Sequence, residues 1–305
     1  MRVSEAFWEM AGPLLYSNLV IKRAQPMHKV VHGLPPMVPM EDPQPINRKT
    51  RLLSHVQQIT VADHLCLSPW ICSDRFPNLK TLLVLPYAHL YTSDWICGCS
   101  RSCPILSGFK PQKIVMHNSR TANPGIGTWP MGLLPLRVTC PTLTLVMNDI
   151  ECAMGRLPHM NWISYHGVRW KHVKHIRFIV NRTPPWLDKI AERLPYPNRP
   201  RLTSQRLVEG MLSPLIAGSR VPLTFYLFQE MDEAYMTRVQ ETLPTALNNI
   251  PQRPLNPLPR HPPVPYTIKT LSDYITEGLE DELIWQELRY WREENQRRME
   301  NKEMV

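Results

Sequence analysis

Three of the chain's seven cysteines, Cys97, Cys99 and Cys103, fall inside the stretch "SDWICGCSRSC" (93–103). Thiols that close together could hold a metal ion or run a thiol–disulfide couple. Tetrahedral zinc needs four ligands, ordinarily from two spaced pairs. Beyond Cys99 and Cys103 the conceivable ligands are His89, His117 and Cys66, and no second close pair is present. A redox centre would call for C-x-x-C beside a βαβ pattern, which the sequence does not contain. It also has no phosphate-cradling glycine loop, no G-x-S-x-G and no H-E-x-x-H. The expectation is a non-catalytic protein with no metal and no cofactor. A zinc-stabilised binding module of unrelated function is the alternative that the cysteines leave open.

The densest basic run, "RWKHVKHIRFIVNR" (169–182), carries a different kind of chemistry. Its alternation puts His175 and Arg177 on one face of a strand, where they could bind phosphate or an acidic peptide or stay solvated. Nucleic acid recognition normally shows more aromatic interleaving at exposed positions, so a protein partner is expected instead.

These residues sit in a repeat. Short β-branched and leucine-rich runs recur as apolar-x-x-apolar-x-apolar-x-x-polar: Val56, Ile59, Val61 and His64; Leu79, Leu82, Val84 and Tyr87; Cys140, Leu143, Leu145 and Asn148; Val173, Ile176, Phe178 and Asn181. A looser copy begins at Pro111, and another near Leu223 is ambiguous in register. The copies are a ragged version of the 20 to 29 residues of a leucine-rich repeat. Alternate strand residues face opposite ways, so one apolar pair enters the core while the residues between look outward. One repeat cannot bury its own apolar face, whereas a stack can.

The connecting segments repeat too. "SPWICS" (68–73) returns as "SDWICG" (93–98), and Trp129, Trp162 and Trp186 follow at comparable places. Cys97 then holds a position that Cys72, Met131, Ser164 and Asp188 hold elsewhere, as a filler of the outer layer.

The pattern predicts an α/β protein: an irregular leucine-rich-repeat-like solenoid with a parallel sheet, plus a C-terminal helical segment. Its concave face would display Gln58, Thr60, Thr81, Leu83, Lys113, Val115, Thr142, Thr144, His175, Arg177, Thr224 and Tyr226 to a protein partner.

Composition agrees with scaffold. The 305 residues are 43% hydrophobic, enough for a core, and hold 32 prolines against 12 glycines, which suits short elements joined by stiff turns. No stretch approaches the length of a membrane span, and Glu5 and Glu9 interrupt the apolar start, so no signal peptide is expected. With an odd number of cysteines, a cytoplasmic or nuclear, reducing compartment is expected. The net charge of +9 is uneven. Residues 266–305 carry six basic and ten acidic side chains, which leaves a net +13 on the first 265 residues.

The stretch "PQRPLNPLPRHPPVP" (251–265) has seven prolines and reads as the heart of a linker spanning 233–265. From 266 to 305 the sequence reads as an amphipathic helix with the stripe Leu279, Leu283, Trp285, Leu288 and Trp291. That stripe is expected to cap the repeats.

At the N-terminus, "VSEAFWEMAGPLLYSNLVI" (3–21) resembles the final helix of the fungal F-box domain and the strand after it. Val3 and Ser4, then Phe7 and Trp8, Ala11, Pro13, Leu14, Leu15 and Tyr16, and finally Leu19, Val20 and Ile21 carry the resemblance. The degenerate repeats behind it, with lines such as "FPNLKTLLVL", resemble the leucine-rich-repeat-like part of the same proteins. The family's opening Leu-Pro-x-Glu helix has no counterpart here. The resemblance implies a substrate receptor of Skp-cullin-F-box ubiquitin ligases, with Phe7, Trp8, Pro13, Leu14, Leu15 and Tyr16 facing a Skp-type adaptor. It divides the chain into an F-box-like remnant (1–25), a connecting segment (26–50) and the repeats (51–232).

Overall fold

The computed structural model describes residues 5–21, 53–61, 76–84, 109–117, 140–148, 172–181, 203–228, 233–249, 264–279, 282–283 and 285–303. They form eight strands: β1 (Asn18–Ile21), β2 (Gln58–Val61), β3 (Thr81–Val84), β4 (Lys113–His117), β5 (Thr142–Asn148), β6 (His175–Asn181), β7 (Leu223–Leu227) and β8 (Tyr266–Thr270). The helices are α1 (Glu5–Tyr16), α2 (Ser204–Leu207), a π-helical turn (Val208–Leu212), α3 (Ser213–Gly218), α4 (Glu233–Asn248), α5 (Leu271–Thr276) and α6 (Trp285–Glu303).

Strand order follows chain order from β1 to β8. The pairings β1–β2, β2–β3, β3–β4, β6–β7 and β7–β8 are all parallel. The protein is therefore of the α/β class with a parallel sheet. Strands β2 to β6 each begin two residues after a repeat start, at 58, 81, 113, 142 and 175. Parallel neighbours need a crossover of a dozen residues or more, and the long repeat provides one. Among the described residues, no helix is long and apolar enough to cross a membrane.

The chain divides into two compact units. The first comprises residues 1–119, 128–143 and 169–173, and the second comprises 120–127, 144–168 and 174–305. In the first unit, β2 and β3 are entered the same way. Leu53 O accepts from Val56 N, and Phe76 O from Leu79 N, each a tight turn just before a strand. The carbonyl of the residue before each strand then serves the next strand: Ser17 O accepts from Gln57 and Gln58, and Gln57 O from Lys80 and Thr81. Backbone groups that leave the ladder are thus paired instead of orphaned. Asn78 adds a side-chain bond from Nδ2 to Ser54 O at 2.8 Å, tying one turn to its neighbour. The apolar pairs stack in register: Ile59 lies opposite Leu82, and Leu82 opposite Ile114, all fully buried. Phe76 and Phe109 meet edge to face at 5.5 Å beside them.

The second unit follows the same register rule with larger side chains. Ile176 pairs with Leu223, and Phe178 with Phe225, whose rings stack at 5.1 Å. All four are buried. Cys140, which precedes β5 in the first unit, is a buried thiol whose pKa burial pushes up to about 12. It packs as an apolar side chain.

Two segments differ from the sequence expectation. Residues 233–265 read as linker, yet 233–248 form α4, because Tyr235, Val239 and Leu243 recur every fourth residue and are buried on one stripe. That helix packs on the α2–π–α3 run. The prolines that follow, beginning with Pro244 inside the helix itself, obscured the period. The π turn in the partner run has its own cause. Pro214 lacks an N–H, and its ring would press on the carbonyl four residues back, so the helix widens ahead of it, with Ser213 N bonded to Val208 O.

The second difference is at 266, where a helix was expected and β8 is found instead. "YTIKT" is rich in β-branched and aromatic residues and adds to β7 in parallel. The helix waits for a capping box at Thr270 and Asp273: Thr270 Oγ1 accepts from Asp273 N, and Asp273 Oδ2 accepts from Thr270 N at 2.7 Å.

Phe178→Ala should cost about 3–5 kcal/mol, because it leaves a cavity against Phe225 that the sheet cannot close, whereas Phe178→Leu should cost much less. Urea denaturation midpoints at constant slope check this.

Candidate functional site

The residues expected on the partner face do share one side of their strands. In the first unit, Gln58, Thr81 and Lys113 stand opposite one another, and the next row is Thr60, Leu83 and Val115. They are not, however, an open display. Gln58, Thr60, Lys113 and Thr142 are half-buried, and Thr81, Leu83 and Val115 are buried. In the second unit Thr144, Thr224 and Tyr226 are buried as well. Strands of a parallel sheet are ordinarily covered on both faces, and β3, with four buried residues out of four, follows that rule. Covered threonines need internal partners: Thr224 finds them, while Thr144 Oγ1 has none among the described residues.

What covers the face in the second unit is the chain's own C-terminal segment. Tyr274 of α5 meets Tyr226 at 5.2 Å and Phe228 at 5.1 Å, and Trp291 of α6 meets Phe228 at 5.2 Å, all edge to face. Of the stripe read from sequence, Leu283, Leu288 and Trp291 are buried and Leu279 is half-buried, while the side chain of Trp285 lies outside the described residues. The apolar stripe thus docks on strand side chains within its own unit.

Between the two helices, Glu277 and Glu282 bring carboxylates onto the basic positions. Glu282, fully buried, accepts a hydrogen bond from Arg177 Nη1 through Oε1 at 2.7 Å. Glu277 accepts from Lys269 Nζ at 2.5 Å and from the Tyr226 hydroxyl at 2.6 Å. Lys269 also lies 5.8 Å from the centre of the Tyr226 ring, a cation–π contact. His175 Nε2 and Thr224 Oγ1 are 2.9 Å apart, and Thr224 Oγ1 is 3.0 Å from Thr267 Oγ1, a polar chain across three strands.

The electrostatics follow from this packing. Burial lowers the His175 pKa below 6.5, and the positive charges of Arg177 and Lys269 lower it further. Burial raises the Tyr226 phenol, and the Glu277 hydrogen bond raises it more. For Glu277, burial acts upward but is outweighed by the hydrogen bonds from Lys269 and Tyr226, which hold its carboxyl below 4.5. Arg177, Lys269 and Tyr226 are each paired with a carboxylate, and His175 with the Thr224 hydroxyl. Among the described residues, no group of three or more His, Cys, Asp and Glu side chains is placed to hold a metal ion. Cys97, Cys99, Cys103 and the conceivable ligands His89 and Cys66 lie outside the described residues.

The N-terminal helix is a second surface. In α1, Pro13, Leu14 and Leu15 are exposed and Tyr16 is half-buried, while the side chains of Phe7 and Trp8 lie outside the described residues. Met10 is 70% exposed, Leu14 82% and Leu15 65%. Near Pro13 a hollow of about 440 Å³ is lined by Ser54, His55, Gln57, Asn78, Lys80 and Gln112 among others.

Sequence reasoning missed Thr267, Lys269, Tyr274, Glu277 and Glu282. The signals were present in the alternation of "YTIKT" and in the Thr270–Asp273 capping box, both of which were absorbed into a single expected helix.

The fold is that of an α/β protein with a parallel sheet. Compared with protein-family models, with curated proteins and with solved structures, the chain matches none.

Two outcomes test the site. Glu282→Ala should cost about 3–5 kcal/mol, because it strands Arg177 as an uncompensated cation, whereas replacing both partners by Met and Leu should cost far less. A denaturation double-mutant cycle reads the difference. Secondly, the folded state holds His175 below its ordinary value, so the unfolded chain takes up the proton first. Its contribution to stability is whole above about pH 6.5 and is lost as pH falls toward the folded value. His175→Asn should flatten the stability slope in that window, as read by melting temperature against pH.

Proposed function

We propose that this chain is a non-catalytic protein-interaction scaffold of the substrate-receptor kind, resembling the fungal F-box proteins with leucine-rich-repeat-like bodies. The observation that carries the reading is the exposure of Met10, Leu14 and Leu15 on α1, immediately ahead of the first strand. Large apolar side chains grouped on one helix mark a surface that a partner covers. In a receptor of this kind that partner is a Skp-type adaptor.

Two further features support the reading. The strands follow one another in chain order, and β2 and β3 are entered through similar turns, as a stacked repeat requires. The irregular leucine-rich-repeat-like solenoid is the architecture that joins these facts. The face formed by His175, Arg177, Thr224 and Tyr226 carries cations and hydroxyls of the kind used in recognition. Substrate capture belongs on that face, and adaptor docking on α1.

Co-expression with a Skp-type adaptor followed by size-exclusion chromatography tests the proposal. Co-elution is expected, with Leu14→Asp/Leu15→Asp abolishing it while leaving the melting temperature within a few degrees, because both side chains are already in water. Separate elution of the unmodified chain would overturn the ligase reading.

A further inference from the structure

We infer that the hollow at the strand-entry edge of the first unit binds an extended acidic segment of a partner protein. Lys80 takes the carboxylate, and the side-chain amides of Gln57 and Gln112 take the peptide groups on either side of it. This goes beyond the adaptor reading, which concerns α1, and uses none of the residues of β6 to β8.

The hollow, about 440 Å³, is of the size that small ligands and short peptide stretches occupy. One row of its lining is built by the repeat. Gln57, Lys80 and Gln112 each stand one residue ahead of β2, β3 and β4, and the register of Gln58, Thr81 and Lys113 sets them side by side. Adjacent strands lie about 4.8 Å apart, so Gln57 and Gln112 bracket Lys80 over roughly 10 Å. An extended chain covers that distance in about three residues.

The backbone along this row is already engaged. The N–H groups of Gln57 and Gln58 go to Ser17 O, those of Lys80 and Thr81 to Gln57 O, and that of Lys113 to Lys80 O. Recognition therefore falls to the side chains. Gln57, Lys80 and Gln112 are exposed, and among the described residues none of these side chains has a hydrogen-bond or ion-pair partner.

Charge sets the sign of the ligand. His55 stands half-buried in the same lining, and the described residues of that lining include no aspartate or glutamate. The amides set its class. A free phosphate offers acceptors and would leave the amide oxygens of Gln57 and Gln112 unused. A peptide group carries one donor and one acceptor, and a primary amide answers both. Asn78 is fixed by the bond from its Nδ2 to Ser54 O at 2.8 Å, which keeps its Oδ1 as a further acceptor. Pro13 and Pro77 supply apolar surface on which the methylenes of an acidic side chain can rest.

The test titrates the full chain, labelled with nitrogen-15, with a blocked peptide of sequence serine-alanine-glutamate-alanine-serine. Saturable shifts are expected in the side-chain amide signals of Gln57 and Gln112, assigned by their disappearance in Gln57→Ala and Gln112→Ala. Replacing the peptide's glutamate by glutamine should weaken binding roughly three- to fivefold, the upper part of what an exposed ion pair contributes. Lys80→Gln should cost the glutamate peptide the same factor and abolish the preference between the two peptides, because the cycle isolates the pair. These side chains are exposed, so unchanged circular dichroism is expected in each variant. Unmoved amide signals with both peptides would overturn the site. A glutamate preference that survives Lys80→Gln would overturn the role of Lys80. Equal shifts from inorganic phosphate at the same concentration would overturn the peptide in favour of a free anion, and tighter binding of a single-stranded oligonucleotide would do so in favour of a phosphate backbone. Adaptor co-elution reads α1 and the amide signals read the entries to β2 and β4, so the two proposals can fail separately.

Discussion

Short parallel strands need cover on both faces, and that constraint shapes everything else in the second unit. Strands of five to seven residues offer few ladder bonds each, so their stability comes from side chains stacked along and above the sheet. One face is filled by the register column of Ile176 with Leu223 and Phe178 with Phe225. On the other, Tyr226 and Phe228 project even-numbered rings that must be buried as well, and Tyr274 and Trp291 bury them. A face covered in this way is largely shielded from water, and the polar residues buried on it are obliged to pair.

That obligation turns a basic strand into a site. An Arg on a wet strand face is a solvated charge worth little to anyone. Beneath α5 and α6, Arg177 is 21% exposed and meets a carboxylate that is wholly buried. In that setting the pair contributes orientation more than stability, because desolvating two charges offsets most of their attraction. His175, beside it, is held neutral by the same burial and by the same cations that recruit the carboxylates. The basic positions of these strands are therefore also the positions that hold the C-terminal segment down.

The first unit shows the complementary case. Its inner column of Ile59, Leu82 and Ile114 is as dry as its counterpart, and the shared carbonyls of Ser17 and Gln57 pass the chain from one strand to the next. Its N-terminal helix ends with Leu14 and Leu15 in solvent, the reverse of what the C-terminal helix does with Leu288 and Trp291. One terminal helix has spent its apolar stripe inside its own unit, and the other presents it.

Much of this was legible in the residues. The apolar-x-x-apolar-x-apolar spacing located β2 to β6, loosely for the copy that begins at Pro111, and assigned alternate side chains to opposite faces, because strand periodicity is a local property of neighbouring residues. The same spacing put His175, Arg177, Thr224 and Tyr226 on one side. It failed at 233–248, where the stripe of Tyr235, Val239 and Leu243 ran into prolines, and at 266–270, where a strand was read as the start of a helix. What the sequence by itself determined was the face and the charge of these residues, both of which follow from neighbours along the chain. Only the tertiary structure decided whether that face stands open, since Glu282 reaches Arg177 across 105 positions. A contact of that span depends on which cover lowers the free energy of the whole sheet, and no local pattern of residues encodes the choice.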